Sequence, residues 1–282
     1  MDIFRYGYLT IPLALLYGNL EALDMWYSKA LAAYQEIELP SSKDYASETL
    51  ELSNQMFNSL PLFVMLGQFG NASVLLEALG FTWSKEGFEN FDKLSLAFQA
   101  IAPFFKKPTF DACIRLLVFV AAPLGAIDEA EVNAWMPSPA ALADIEKGDT
   151  FLRRYCLWDV TSIGALAFLK LGRDDDACEL AHLTVAPEQK TDKKTTLVSC
   201  HSILGQVAAK RGQLDEADGH FKRALEEATL SRLPMLEVLA ARDWKKHALE
   251  TSGRDCGSAE VVIDMACTKM GKSRKQLGSI LV

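Results

Sequence analysis

Residues 198 to 231 read VSCHSILGQVAAKRGQLDEADGHFKRALEEATLS. The first half, extended by Leu197, places Leu197, Cys200, Ile203, Leu204, Val207 and Ala208 on one face at three-and-four spacing. The second half does the same with Leu214, Ala217, Phe221, Ala224, Leu225 and Ala228. That periodicity belongs to two amphipathic helices. Between them Lys210-Arg211-Gly212 supplies cations where a helix ends in negative dipole, and a glycine that tolerates the left-handed conformation. Asp215 and Glu216 then open the second helix at its positive end. The spacing predicts a helix, a tight turn and an antiparallel helix, a hairpin that any globular all-α protein can also contain.

The register of the small and aromatic residues carries more. Leu204-Gly205, then Gly212-x-Leu214, then Ala217, Phe221 and Ala224 resemble the tetratricopeptide repeat (TPR): its Leu-Gly pair, its turn, and the small-aromatic-small knobs of its second helix. The sequence departs from that pattern at His201, where Trp is preferred, at Ala208 in place of Tyr, and at Thr229 in place of the closing Pro. The resemblance implies close packing, with Gly205 and Ala217 small enough for two helices to approach and Phe221 filling the gap to the next pair.

Gly172, Gly212 and Gly253 stand 40 and 41 residues apart, so three helical pairs in the second half share one period. It exceeds the roughly 34-residue period of the short repeat and is similar to the long-helix variants of the family. Around these glycines the pairs are Phe151 to Leu171 with Asp174 to Val185, the central unit, and Leu233 to Glu250 with Ser258 to Met270. Pro187 to Lys194 is a loop, Asp174-Asp175-Asp176 cap their helix, and Lys272 to Leu277 form a closing helix. Three pairs are enough for a stack in which each hides its apolar face against its neighbours. The fold expected is therefore all-α, an α-solenoid of antiparallel helix pairs forming a TPR-like superhelix.

Outward from that region the punctuation thins the signal. Pro123, Gly125, Pro137, Pro139 and Gly148 make residues 123–148 a hinge or linker, with short helices at Asp128 to Trp135 and Pro139 to Glu146. Residues 1–122 are expected to hold degenerate helical pairs, and residues 149–282 the TPR-like repeats with their capping helix. In the N-terminal region Gly18 is followed by Leu20, Tyr27 and Ala30, as Gly212 is by Leu214, Phe221 and Ala224, which resembles a fainter copy of the turn and second helix. The segment Tyr8 to Tyr17 follows Arg5 but continues an amphipathic pattern, and reads as a helix rather than a signal peptide. Leu116 to Ile127 is too short to span a bilayer.

Composition bounds the chemistry. The 282 residues are 50% hydrophobic, so the chain is folded, and the formal net charge is −8. Residues 1–141 hold 8 Lys+Arg against 16 Asp+Glu, and the remainder 21 against 21. Neither half has the cationic excess with which proteins displace counterions from phosphate, so no nucleic-acid partner is expected. The six cysteines contain no CxxC pair and sit among apolar neighbours. They read as buried thiols in the cytoplasm or another reducing intracellular compartment.

No catalytic set, metal site or cofactor emerges. His182, His201, His220 and His247 have no ligand at metal spacing along the chain. Cys200 and His201 are neighbours, which a helix points about 100° apart. Met270-Gly271-Lys272-Ser273 has the tail of a phosphate-binding loop, but Ala266 replaces its leading glycine. What remains is surface. The resemblance implies a concave face lined by first helices, so the candidate contacts are Ser199, Ser202, Gln206 and Lys210 from one, and Arg242, Trp244 and Lys245 from the next. The family's clamp for carboxylate termini needs Lys and Asn where this chain has Ser202 and Gln206, so that activity is not implied. The expected function is a non-enzymatic scaffold or assembly subunit that binds a partner polypeptide, alone or within a larger complex. The alternative is a helical sensor or carrier for an apolar ligand, because 19 of 27 aromatic residues lie within residues 1–110.

Overall fold

Two corners 40 residues apart take the same backbone path in the computed structural model, which describes residues 14, 16–19, 25, 28, 130, 136–148, 158–186, 193–252 and 257–281. Leu171 and Arg211 end their helices at φ −77, ψ −3 and φ −83, ψ 0. Gly172 and Gly212 follow at φ 71 and 73, where any Cβ is crowded and glycine is not. Arg173 and Gln213 then enter the next helices at φ −84, ψ 65 and φ −83, ψ 64. In both corners the backbone reaches back across the turn: Arg173 N donates to Phe168 O and Gln213 N to Ala208 O, each at 2.9 Å. That bond is the Schellman closure of a helix. Gly271 repeats it, with Lys272 N donating to Cys267 O at 3.0 Å, so Met270-Gly271-Lys272-Ser273 is a helix corner. Gly18 has φ 69, and Asn19 N donates to Ala14 O at 2.8 Å.

The helices are α1 (Pro139–Gly148), α2 (Val160–Lys170), α3 (Asp174–Val185), α4 (Lys194–Lys210), α5 (Leu214–Ser231), α6 (Pro234–Ser252), α7 (Gly257–Met270) and α8 (Arg274–Leu277), followed by the 3-10 turn Gly278–Leu281. Among the described residues all regular structure is helical. The chain divides into two compact units, one of residues 1–15, 19–137 and 148–156, the other of 16–18, 138–147 and 157–282. Of the helices expected between Tyr6 and Ala122 and at Asp128 to Trp135, residues 14, 16, 25, 28 and 130 are described and are helical; the rest of those helices and the corner at Gly253 lie outside the described residues.

Within the second unit each helix from α2 to α7 packs on the next, and α4 also touches α2 and α6. The buried sets of the second helices repeat at i, i+4 and i+7: Ala177, Ala181 and Thr184 on α3, Ala217, Phe221 and Ala224 on α5, Ala259, Ile263 and Ala266 on α7. Small residues at these knobs let the helices close. At Gly205 a Cβ would meet three atoms of the Phe221 ring at 2.8 to 2.9 Å, so that ring takes the space a side chain would occupy. Gly164 does the same in the preceding pair, against Leu142 of α1 and Leu180 of α3. The stretch expected as a linker thus gives a helix to the core of the second unit.

Two local expectations are corrected. The periodicity predicts a single helix from Phe151, but Trp158 and Asp159 are not helical and α2 starts at Val160. Asp159 is fixed in extended geometry as its N-cap: its amide donates to Thr196 Oγ1 at 3.0 Å, and its carboxylate meets Lys193 Nζ at 2.6 Å. The second concerns Asp174, Asp175 and Asp176, which occupy the first turn of α3 rather than its N-cap, a position held by Arg173 with no side-chain cap. Asp174 takes Lys210 Nζ at 2.7 Å, Asp175 takes Arg211, and Asp176 takes Arg173 at 2.6 Å. Two of the three therefore tie the end of α4 to the start of α3.

Candidate functional site

α4 is surrounded. Four helices pack on it, and thirteen of its residues from Thr195 to Ala209 are buried. This corrects the expected contact face: Ser199 and Ser202 are each 3% exposed and present no surface. Helical spacing alone puts them opposite the apolar stripe, but a helix with neighbours on four sides has little outer face left. Trp244 is also buried, and its indole Nε1 donates to Asp218 Oδ1 at 3.1 Å, so it joins α6 to α5.

Gln206 is half-buried and Lys210 exposed in the last turns of α4. Arg242 and Lys245 are half-buried on α6, the helix that touches α4. Each cation already has a carboxylate: Lys210 has Asp174, Arg242 Nη2 lies 2.7 Å from Asp243, and Lys245 Nζ lies 2.5 Å from Glu260. Glu260 also takes Arg274, and bonds from Lys245 and Arg274 hold its carboxyl below the usual range. Such partly exposed pairs contribute little to stability. Their effect is to hold long side chains in one place. A more deeply buried carboxylate also serves α6, where Glu237, 3% exposed, takes Lys269 Nζ on both oxygens at 2.7 Å.

The fold also assembles what the chain order hides. His201 Nδ1 and His220 Nδ1 are 3.3 Å apart, with the rings stacked at 5.6 Å between centroids. His182 stands edge-on to His220 at 6.0 Å. These residues come from α4, α5 and α3, and their even 19-residue spacing acquires meaning only once the three helices pack. Burial, then the neighbouring His220 and Arg223, pushes His201 down to about 4. His247 stacks instead on Phe221 at 6.0 Å. Among the described residues no group of three or more His, Cys, Asp and Glu side chains is arranged to hold a metal ion. Cys200, next to His201 in the chain, is fully buried and burial pushes its thiol up, so it is not a nucleophile.

No helix among the described residues is long and apolar enough to cross a membrane. No family model, no curated protein and no solved structure matches the chain.

Proposed function

We propose that the second half of the chain is a TPR-like array of long helical pairs, and that the protein is a non-enzymatic scaffold or assembly subunit binding a partner polypeptide. The observation that carries this reading is the repetition in phase: matching corners at Gly172 and Gly212, followed at the same distance by the knobs Ala177 and Ala181 in one pair and Ala217 and Phe221 in the next. The contacts of α4 with α2 and α6 fit first helices laid side by side, the arrangement such arrays use for binding. The contact surface is then Gln206, Lys210, Arg242 and Lys245, with Ser199, Ser202 and Trp244 serving as its packed support.

The test is affinity purification with partner identification, run in parallel on the chain and on a triple variant carrying Gln206→Ala, Arg242→Ala and Lys245→Ala. A polypeptide retained by the first and lost by the second supports the reading. A chain that holds no polypeptide and turns over a small molecule unaided defeats it. Native mass spectrometry of the purified chain separates the carrier alternative, because a retained apolar ligand would move the function to the aromatic-rich N-terminal half.

A further inference from the structure

Burial falls off across the three imidazoles, from His201 inside through half-buried His220 to exposed His182. The facing Nδ1 atoms of His201 and His220, at 3.3 Å, share one hydrogen, since one ring must donate and the other accept. One added proton keeps that bond but places a charge among buried side chains. A second sets two N–H groups head-on, with His182 adding a third ring at 6.0 Å.

We propose that this cluster is an acid-sensitive joint: uncharged, it closes the seam where α3, α4 and α5 meet, and acidification opens that seam. The charges that act on the pair come from two elements. α3 brings His182. α5 brings Glu216, Arg223 and Glu227, of which Glu227 is engaged by Lys194 Nζ of α4 at 2.5 Å. Among the described residues no charge that shifts either ring comes from α2 or α6, and His247 of α6 faces Phe221.

The direction follows from proton counting. Closed, His201 sits near 4, and His220 is also held down, first by burial and then by His182. Opened, each returns toward the ordinary 6.5 and binds a proton more readily. Closure is therefore complete above the ordinary value and is lost as pH falls from there toward 4. For His201 alone, a step from pH 7.5 to 5.0 favours the open form about 30-fold.

Amide hydrogen exchange on the full chain at these two pH values, corrected for intrinsic rates, reads the opening of α4 and α5. We expect it to rise about 30-fold at pH 5.0, and to rise several-fold less in His201→Phe. No rise, or the same rise in both proteins, overturns the proposal. The histidine Cε1–H titration of the unmodified chain gives a second decision that does not depend on the variant folding. A His201 midpoint well below 6 supports the joint, and one near the ordinary value refutes it.

Discussion

Gly205→Ala separates close packing from helix propensity, because the two effects have opposite signs at that position. In the middle of a helix, alanine gains about 1 kcal/mol over glycine. Here the new Cβ would stand 2.8 Å from Phe221 Cε1 and 2.9 Å from Cδ1 and Cζ, whereas carbons settle at about 3.5 to 4.0 Å. The ring must retreat by most of an ångström, and at 1% exposure, with His247 stacked against it, it has no open side. Overpacking of this kind costs about 1 to 3 kcal/mol, so the net expected effect is a loss of about 1 kcal/mol. In a Phe221→Leu background the obstruction shortens, and the same Gly205→Ala change should become neutral or stabilising. The assay is a double-mutant cycle on urea midpoints followed by helical circular dichroism. Coupling of about 1 to 2 kcal/mol is expected, within the range for residues in contact. Stabilisation by Gly205→Ala alone, or an equal effect in both backgrounds, would refute the close packing of α4 on α5.

Gly172→Ala and Gly212→Ala should each cost about 1 kcal/mol, and the costs should add, because a Cβ at either corner strains only its local backbone and meets nothing beyond its chain neighbours within 4 Å; strongly unequal losses in chemical denaturation would mean that the corners are not equivalent. Lys269→Met leaves the Glu237 carboxylate buried without its cation and should cost about 2 kcal/mol, below the cost of breaking a fully buried pair because Lys269 is itself 46% exposed. Replacing both, as Glu237→Gln with Lys269→Met, should recover some of that loss in the same assay. A thiol reagent applied to the native protein should modify half-buried Cys178 well before Cys200, and equal rates would contradict the burial of the α3–α4 seam.

How far the sequence can be read depends on which interactions are local. The corners are legible because a left-handed residue closed by a Schellman hydrogen bond is a property of a few consecutive residues, and glycine marks it. The helices between them are legible because burial on one side imposes a period, and Asp174–Val185 has the bounds its punctuation implies. The contact face fails at Ser199 and Ser202 for the complementary reason. A hydrophobic stripe reports which side of a helix is most buried, but not how many neighbours share the rest, and serine, though more often exposed, is small enough to fit a crowded helix. The same limit hides the histidines: His201 stands where the repeat pattern prefers Trp, and position alone gives it a packing role. Its proximity to His220 and His182 depends on the rotation of three helices about their axes, which no spacing along one helix encodes. Such clusters therefore arise between helices: His201 and His220, one helix and one turn apart in the chain, become neighbours within a pair. The even 19-residue steps from His182 to His201 to His220 span that distance, so in helical arrays polar residues separated by one helix and its turn belong in the search for sites alongside the short spacings of a single helix.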